Sequence, residues 1–268
     1  MKLITIPPYK GFNYSPEEGR FVELELLEAM RKRGQLEGVE MDVDDGHDLG
    51  HRTVGRDEEF ANQISLGVLG RVKEYCDLGK YDGIVCVGSI LGVSAARMVS
   101  KIPVVSSVHS GYHVASLIGD RFTVIEATDP QALIARHFAQ LYGFNDKLAS
   151  VRVMTHSSTA MTKLIRDYKK EERQNVPEFK EFVEDIVAQS IKAIEEDYVD
   201  SIILSCTPIQ CFEDEVRQGL DDAGYDEIQL VCQYAAAVEM AKVMVNLKLV
   251  QSPRSYPSDS LKVKPKLR

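Results

Sequence analysis

Strand-like and helix-like segments alternate along almost the whole chain, and this alternation constrains the fold more than any other feature of the sequence. Apolar, β-branched runs mark strands at 2–6, 83–87, 104–107, 122–125, 150–154, 201–204 and 228–232. Helical patterns fill 16–33, 58–76, 94–100, 130–141, 177–196, 212–223 and 235–248. Such alternation predicts an α/β fold in which parallel sheets carry helices on both faces. Asp129-Pro130 before one helix, Pro177 at the start of another, and Gly34, Gly143 and Gly224 near helix ends punctuate the pattern as helix boundaries do.

With 268 residues the chain can build one large or two modest α/β domains, each with its own core. A formal net charge of -9 argues against a nucleic-acid partner, because phosphate binding needs clustered Lys and Arg. The longest apolar runs are strand-length, far short of the roughly 20 residues that cross a bilayer, so no membrane partner is expected. Met1-Lys2-Leu3-Ile4-Thr5-Ile6 enters a strand directly and lacks the parts of a signal peptide, which points to the cytoplasm. Five cysteines (Cys76, Cys86, Cys206, Cys211 and Cys232), without CxxC spacing, read as reduced thiols rather than a disulfide framework or a zinc site.

Three segments take plain readings. The stretch from Asp44 to His51 holds acids and histidines without metal-ligand spacing and is expected to be a solvated loop, so no metal is anticipated there. The charge-rich run 169–184 reads as a solvated face. The end, 251–268, has three prolines and a basic finish, and reads as an extended tail.

Two strand exits resemble each other. Tyr81-Asp82-Gly83-Ile84-Val85-Cys86-Val87-Gly88-Ser89 parallels Tyr198-Val199-Asp200-Ser201-Ile202-Ile203-Leu204-Ser205-Cys206-Thr207, and counting from the two aspartates sets Gly88 and Cys206 at the same ordinal position. In open parallel sheets the turns at the carboxyl ends of strands face a ligand crevice. Two such turns facing each other across a domain cleft would hold one small molecule.

Here the chain resembles the aspartate/glutamate racemase superfamily, and within it the hydantoin and allantoin racemases, over about residues 1–248. The stretches that carry the resemblance are Leu91-Gly92-Val93-Ser94-Ala95-Ala96-Arg97, Ile102-Pro103-Val104-Val105 and the run from His113 to Ile125. Ala193-Ile194-Glu195-Glu196-Asp197, Ser205-Cys206-Thr207 and Ala235-Ala236-Ala237-Val238 follow in the family's order. The resemblance implies two similar doubly wound, Rossmann-like domains with the active site in the cleft between them. Their expected bounds are 1–98 plus 210–250 and 99–209. It also implies a homo-oligomer, no cofactor, and a small carboxylate, hydantoin or amino-acid-like substrate.

In that family two cysteines on opposite faces of a carbon acid exchange its α-proton. The resemblance makes Cys206 one of them, while Gly88 stands in the other's place without a side chain. Physical chemistry supports the assignment of Cys206: a thiol beside a helix N-terminus and backbone N–H groups gains thiolate character. Ser89, Thr207 and backbone amides could stabilise an enolate's oxygens. A lone cysteine facing a glycine-hydroxyl turn is similar to arylmalonate decarboxylase, although Ile90 replaces that enzyme's second hydroxyl.

Further substrate contacts are expected from Pro8 and Tyr9, which replace the amide-rich turn of hydantoin racemases, from Thr128 after the 122–125 strand, and from His109 in the turn after the 104–107 strand. Cys86, two residues before Gly88 on the same strand face, is a candidate for the missing base if the turn is shifted. Cys211 and Cys232 are expected to pack as small apolar residues. Three functions follow: an isomerase at the α-carbon, a one-thiol decarboxylase, or a non-catalytic binding protein that keeps the site. 

Overall fold

The computed structural model describes residues 1–10, 20–48, 58–88 and 92–257. Ser89, Ile90 and Leu91, the expected helix start at 16–19, residues 49–51 of the acidic loop and the basic end 258–268 lie outside the described residues. Two compact units divide the chain. One comprises Met1–Arg20, Leu27–Ser107 and Ala237–Arg268, and the other Phe21–Leu26 and Val108–Ala236.

The first unit contains β1 (Lys2–Ile6), the second half of α1 (Phe21–Lys32), β2 (Glu40–Val43), α2 (Glu58–Leu78), β3 (Gly83–Cys86), α3 (Val93–Val99) and β4 (Val104–Ser106). Its strands form one parallel sheet in the order β2-β1-β3-β4. The second unit runs through α4 (Ser107–Ile118), β5 (Phe122–Glu126), α5 (Asp129–Tyr142), β6 (Leu148–Val153), α6 (Ser158–Asp167), α7 (Lys170–Arg173) and α8 (Pro177–Asp197). It continues with β7 (Ser201–Leu204), α9 (Thr207–Gln210), α10 (Glu213–Asp222) and β8 (Gln229–Cys232), before α11 (Gln233–Asn246) returns the chain to the first unit. Its parallel sheet has the order β6-β5-β7-β8, the same winding as the first. Residues 210–236, expected with the first domain, fall in the second unit, whose sheet takes in β8 through its pairing with β7, Leu204 opposite Cys232.

Every residue of β3, β5 and β7 is buried, as parallel strands covered on both faces require, which is why they read as unbroken apolar runs. The edge strands β2 and β6 are partly exposed. Helices cover the sheets through stripes at helical spacing: Ala132, Ala135, Phe138 and Ala139 on α5, and Phe179, Phe182, Ile186 and Ala193 on α8. One core gathers around Ile4, Ile6, Val68, Ile84 and Cys86, another around Tyr112, Phe122, Phe138 and Ile203.

The internal likeness extends to the strand entrances. Asp82 accepts a hydrogen bond from the Lys2 amide at 2.7 Å. Asp200 accepts two, from the Asp120 and Arg121 amides at 2.6 and 2.9 Å. Asp200 sits so close that a Cβ at Gly119 would stand 2.6 Å from its own Cβ.

Two surface expectations are corrected. Within 169–184, Arg173 is only 2 % exposed: its Nη1 donates to Glu25 at 2.6 Å, its Nη2 also reaches that carboxylate, and Nε and Nη2 donate to the Tyr168 and Ile165 carbonyls at 3.0 Å. Partners on every side make the burial of a guanidinium tolerable. Asp44, expected in a solvated loop, is buried and accepts from Arg71, from the Tyr75 hydroxyl and from the Gly46 amide, the last at 2.7 Å. Among the described residues no cluster of His, Cys, Asp and Glu could hold a metal ion.

The start of the tail packs on its own chain. The Gln251 side chain closes the free edge of β4, accepting from the Val104 amide at 3.0 Å and donating to the Val104 carbonyl at 3.1 Å. Tyr256 lies over the Arg97 guanidinium.

Candidate active site

Because the second sheet is parallel, the exits of β5, β6, β7 and β8 fall on one edge. The exit of β7 is anchored there by a buried polar network. Ser205 Oγ donates to Glu126 Oε1 at the end of β5, at 2.5 Å, and lies 3.3 Å from Gln233 Oε1 beyond β8. Gln210 Nε2 donates to the Ser205 carbonyl at 2.9 Å, and Gln210 Oε1 accepts from the Tyr234 amide at 3.0 Å. Ser205, Gln210, Glu126 and Gln233 are all buried. The turn that presents residue 206 is thereby tied to two neighbouring strand ends.

Cys206 follows as the N-cap of α9, partly exposed, with φ -60° and ψ 130°. Its carbonyl accepts from the Ile209 amide at 2.9 Å. The helix it caps has only four residues, so few peptide dipoles align behind the thiol, and the helix-end effect expected from the sequence is small. One donor reaches the sulfur from elsewhere: Gln131 Nε2 lies 3.8 Å from Cys206 Sγ. Gln131 is in the first turn of α5, whose N-cap, Thr128, accepts from the Gln131 amide at 3.4 Å and donates its hydroxyl proton to Gln131 Oε1 at 3.0 Å. Thr128 therefore joins Cys206 through Gln131. Thr207, buried, follows Cys206 directly.

In the first unit Gly88 ends the β3 exit with φ +76°, a left-handed conformation in which a side chain is strained. A Cβ there would meet Pro8 Cγ at 3.4 Å, so Pro8 and Gly88 of the expected set are neighbours. Tyr9 packs partly buried against the first core. Cys86 is wholly buried in that core, and burial pushes its thiol up to about 12, against a smaller opposing effect of Arg97. Ser89 and Ile90 lie outside the described residues.

His109 is not in a turn, because β4 ends at Ser106 and α4 starts at Ser107. Its ring stacks on Tyr142, centroids 4.0 Å apart, and its Nε2 lies 3.0 Å from His113 Nε2. Tyr142 is the last residue of α5, whereas Gln131 is in its first turn, so about 16 Å of helix separates the His109 stack from the residue that reaches Cys206.

The same sheet edge carries a second polar group that the sequence reading missed. His156, after β6, has Nδ1 2.8 Å from Asp185 Oδ2, which also accepts from the Thr155 amide at 2.7 Å and the Thr155 hydroxyl at 2.8 Å. Burial works against the Asp185 carboxylate, but the hydrogen bonds from His156 and Thr155 hold it below the usual carboxylate range. Gln131 and Glu126 were also missed, although each left a mark. Thr128-Asp129-Pro130-Gln131 has the spacing of a capping box, and Glu126 is an acid at the end of an apolar strand.

Known proteins share the fold. The family model described as Asp/Glu/Hydantoin racemase matches residues 22–241. The hydantoin racemase of Pseudomonas sp. (strain NS671) is 22 % identical over 188 residues, 70 % of each chain. The crystal structure of allantoin racemase from Pseudomonas fluorescens superposes with a TM-score of 0.74 at 21 % identity, covering 100 % of both chains. A sulfate-associated structure of a glycine-to-cysteine mutant of arylmalonate decarboxylase has a TM-score of 0.57 at 12 % identity, over 92 % of this chain and 94 % of the other.

Proposed function

We propose that this chain, which belongs to the Asp/Glu/hydantoin racemase family, is a cofactor-independent racemase or epimerase acting at the α-carbon of a small carbon acid, a hydantoin or an amino-acid derivative. The observation that carries the reading is the seat of Cys206: a partly exposed thiol at a strand exit, on a turn fixed by a buried network, with an amide N–H directed at its sulfur. In this reading the Cys206 thiolate takes the α-proton, the electron pair remains as an enolate, and reprotonation on the other face inverts the centre. Hydrogen bonds from Thr207 and the backbone amides of the Cys206 turn hold the enolate oxygens.

Gly88 supplies no thiol for the second proton transfer. Cys86 is too deeply buried to ionise near neutral pH, and His109 belongs to the stack on Tyr142. In this reading a water carries the second proton.

Gly88 favours a second reading, a lyase similar to arylmalonate decarboxylase. There the bond to a carboxylate breaks, carbon dioxide leaves, and the Cys206 thiol protonates the resulting enolate from one side.

One experiment separates the readings. The protein is incubated in D2O with allantoin, 5-substituted hydantoins, amino acids and an arylmalonate, followed by NMR, polarimetry and carbon dioxide release. Deuterium at the α-carbon with loss of rotation and no carbon dioxide supports the isomerase. Carbon dioxide with a single product enantiomer supports the lyase, and binding without turnover would leave a non-catalytic binding protein.

A further inference from the structure

We propose that Gln131 is the positioning residue for the Cys206 thiol, held in register by Thr128; the inference rests on the reading of Cys206 as acid/base. Three contacts define the arrangement. The Gln131 backbone N–H is 3.4 Å from Thr128 Oγ1, the Thr128 hydroxyl donates to Gln131 Oε1 at 3.0 Å, and Gln131 Nε2 is 3.8 Å from Cys206 Sγ. With the backbone donor on the threonine oxygen, the hydroxyl proton is directed to Oε1. The carbonyl end of the amide is thereby occupied, and its NH2 end faces the sulfur.

A capping box accounts for threonine and glutamine three residues apart, but not for an amide that reaches a residue 75 positions away. The chemistry of the contact accounts for it. An N–H donor favours S⁻ over S–H, and being neutral it does so moderately. A Lys or Arg in its place would stabilise the thiolate so far that it became a poor base, because thiolate basicity falls with its proton affinity. A Glu would suppress the thiolate by like charge. Glutamine, being neutral, biases the thiol less than a full charge of either sign would, as suits a group that must accept a proton from carbon and give one up. Thr128, expected from the sequence to touch substrate, acts here through Gln131.

The test reads the thiol and the reaction separately. Alkylation of Cys206 by iodoacetamide is followed against pH by peptide mass spectrometry, in the full-length wild type and in Gln131→Met, Gln131→Glu, Thr128→Val and Thr128→Ser. Loss of a donor to a charged group predicts that Gln131→Met moves the alkylation midpoint up by about one pH unit. Gln131→Glu moves it further, Thr128→Val gives a smaller shift in the same direction, and Thr128→Ser keeps the wild-type midpoint.

An unchanged midpoint in Gln131→Met that melts like wild type overturns the positioning role. If that variant does not fold, Gln131→Asn, which shortens the amide by one methylene, gives the same readout. The parent reading fails differently: wild-type turnover in Cys206→Ala would remove the acid/base role, and the positioning role with it, even where the midpoint shifts are found.

Discussion

The exits of β3 and β7 hold equivalent places in two sheets of the same winding, each six residues beyond an aspartate that fastens the strand's entrance. At β7 the exit presents Cys206 with φ -60° and ψ 130°, a conformation open to any residue, over a network of Ser205, Glu126, Gln210 and Gln233. At β3 the exit presents Gly88 with φ +76°, and the strand's own thiol, Cys86, is sealed in the core. The difference is therefore more than one side chain. The β3 turn has a backbone path that a cysteine would strain, so exchanging residues alone does not convert one exit into the other.

Substitutions at equivalent places sharpen this comparison, the largest effect first. Ser205→Ala removes the hydroxyl that donates to the buried Glu126 carboxyl and should cost roughly 1–3 kcal/mol by urea unfolding, with m unchanged. A cost near zero would mean that the β7 turn is not anchored as described. Gly88→Ala should cost about 1–2 kcal/mol, the penalty of a left-handed L-residue, whereas Cys206→Ala should unfold within about 0.5 kcal/mol of wild type. Equal costs at the two positions would break the comparison.

Asp200→Ala, which frees two backbone donors, should destabilise by about 1 kcal/mol and Asp82→Ala by about half that, both being exposed clamps.

Reactivity distinguishes the thiols by pH. Burial raises the folded-state value of Cys86 to about 12, above its ordinary thiol range, so its contribution to stability is fully present below that range and is lost as pH rises toward 12. In native protein at pH 8 Cys206 should be alkylated while Cys86 is not, with Cys86 labelled only after unfolding. Equal labelling of both in the folded state would contradict the burial argument.

Strand and helix centres were legible because strands buried on both faces leave unbroken apolar runs and helices leave periodic stripes. β2 left no such run, being a four-residue edge strand with Glu40 and Asp42 in alternation. α4 was hidden because it begins without a loop after β4 and carries Gly111 and two histidines. In the site, Cys206 stood out through its motif and Gly88 through its equivalence. The partners that define the Cys206 turn did not: Gln131 meets Cys206 across 75 residues and Glu126 meets Ser205 across 79. Pairings at such separations arise from the winding of the sheets and helices, which no local pattern encodes. The left-handed backbone at Gly88 was likewise invisible, since glycine permits that conformation without requiring it.

The central claim is that proton transfer at the substrate carbon runs through Cys206 alone among the thiols. Its most direct test is solvent-deuterium incorporation at the α-carbon of a turned-over substrate, measured by NMR for wild type, Cys206→Ala and Cys86→Ala. The account predicts that Cys206→Ala slows incorporation by about a hundredfold to ten-thousandfold, the range for loss of a general acid-base group, while Cys86→Ala retains the wild-type rate. Wild-type incorporation in Cys206→Ala, or its loss in a folded Cys86→Ala, would contradict it.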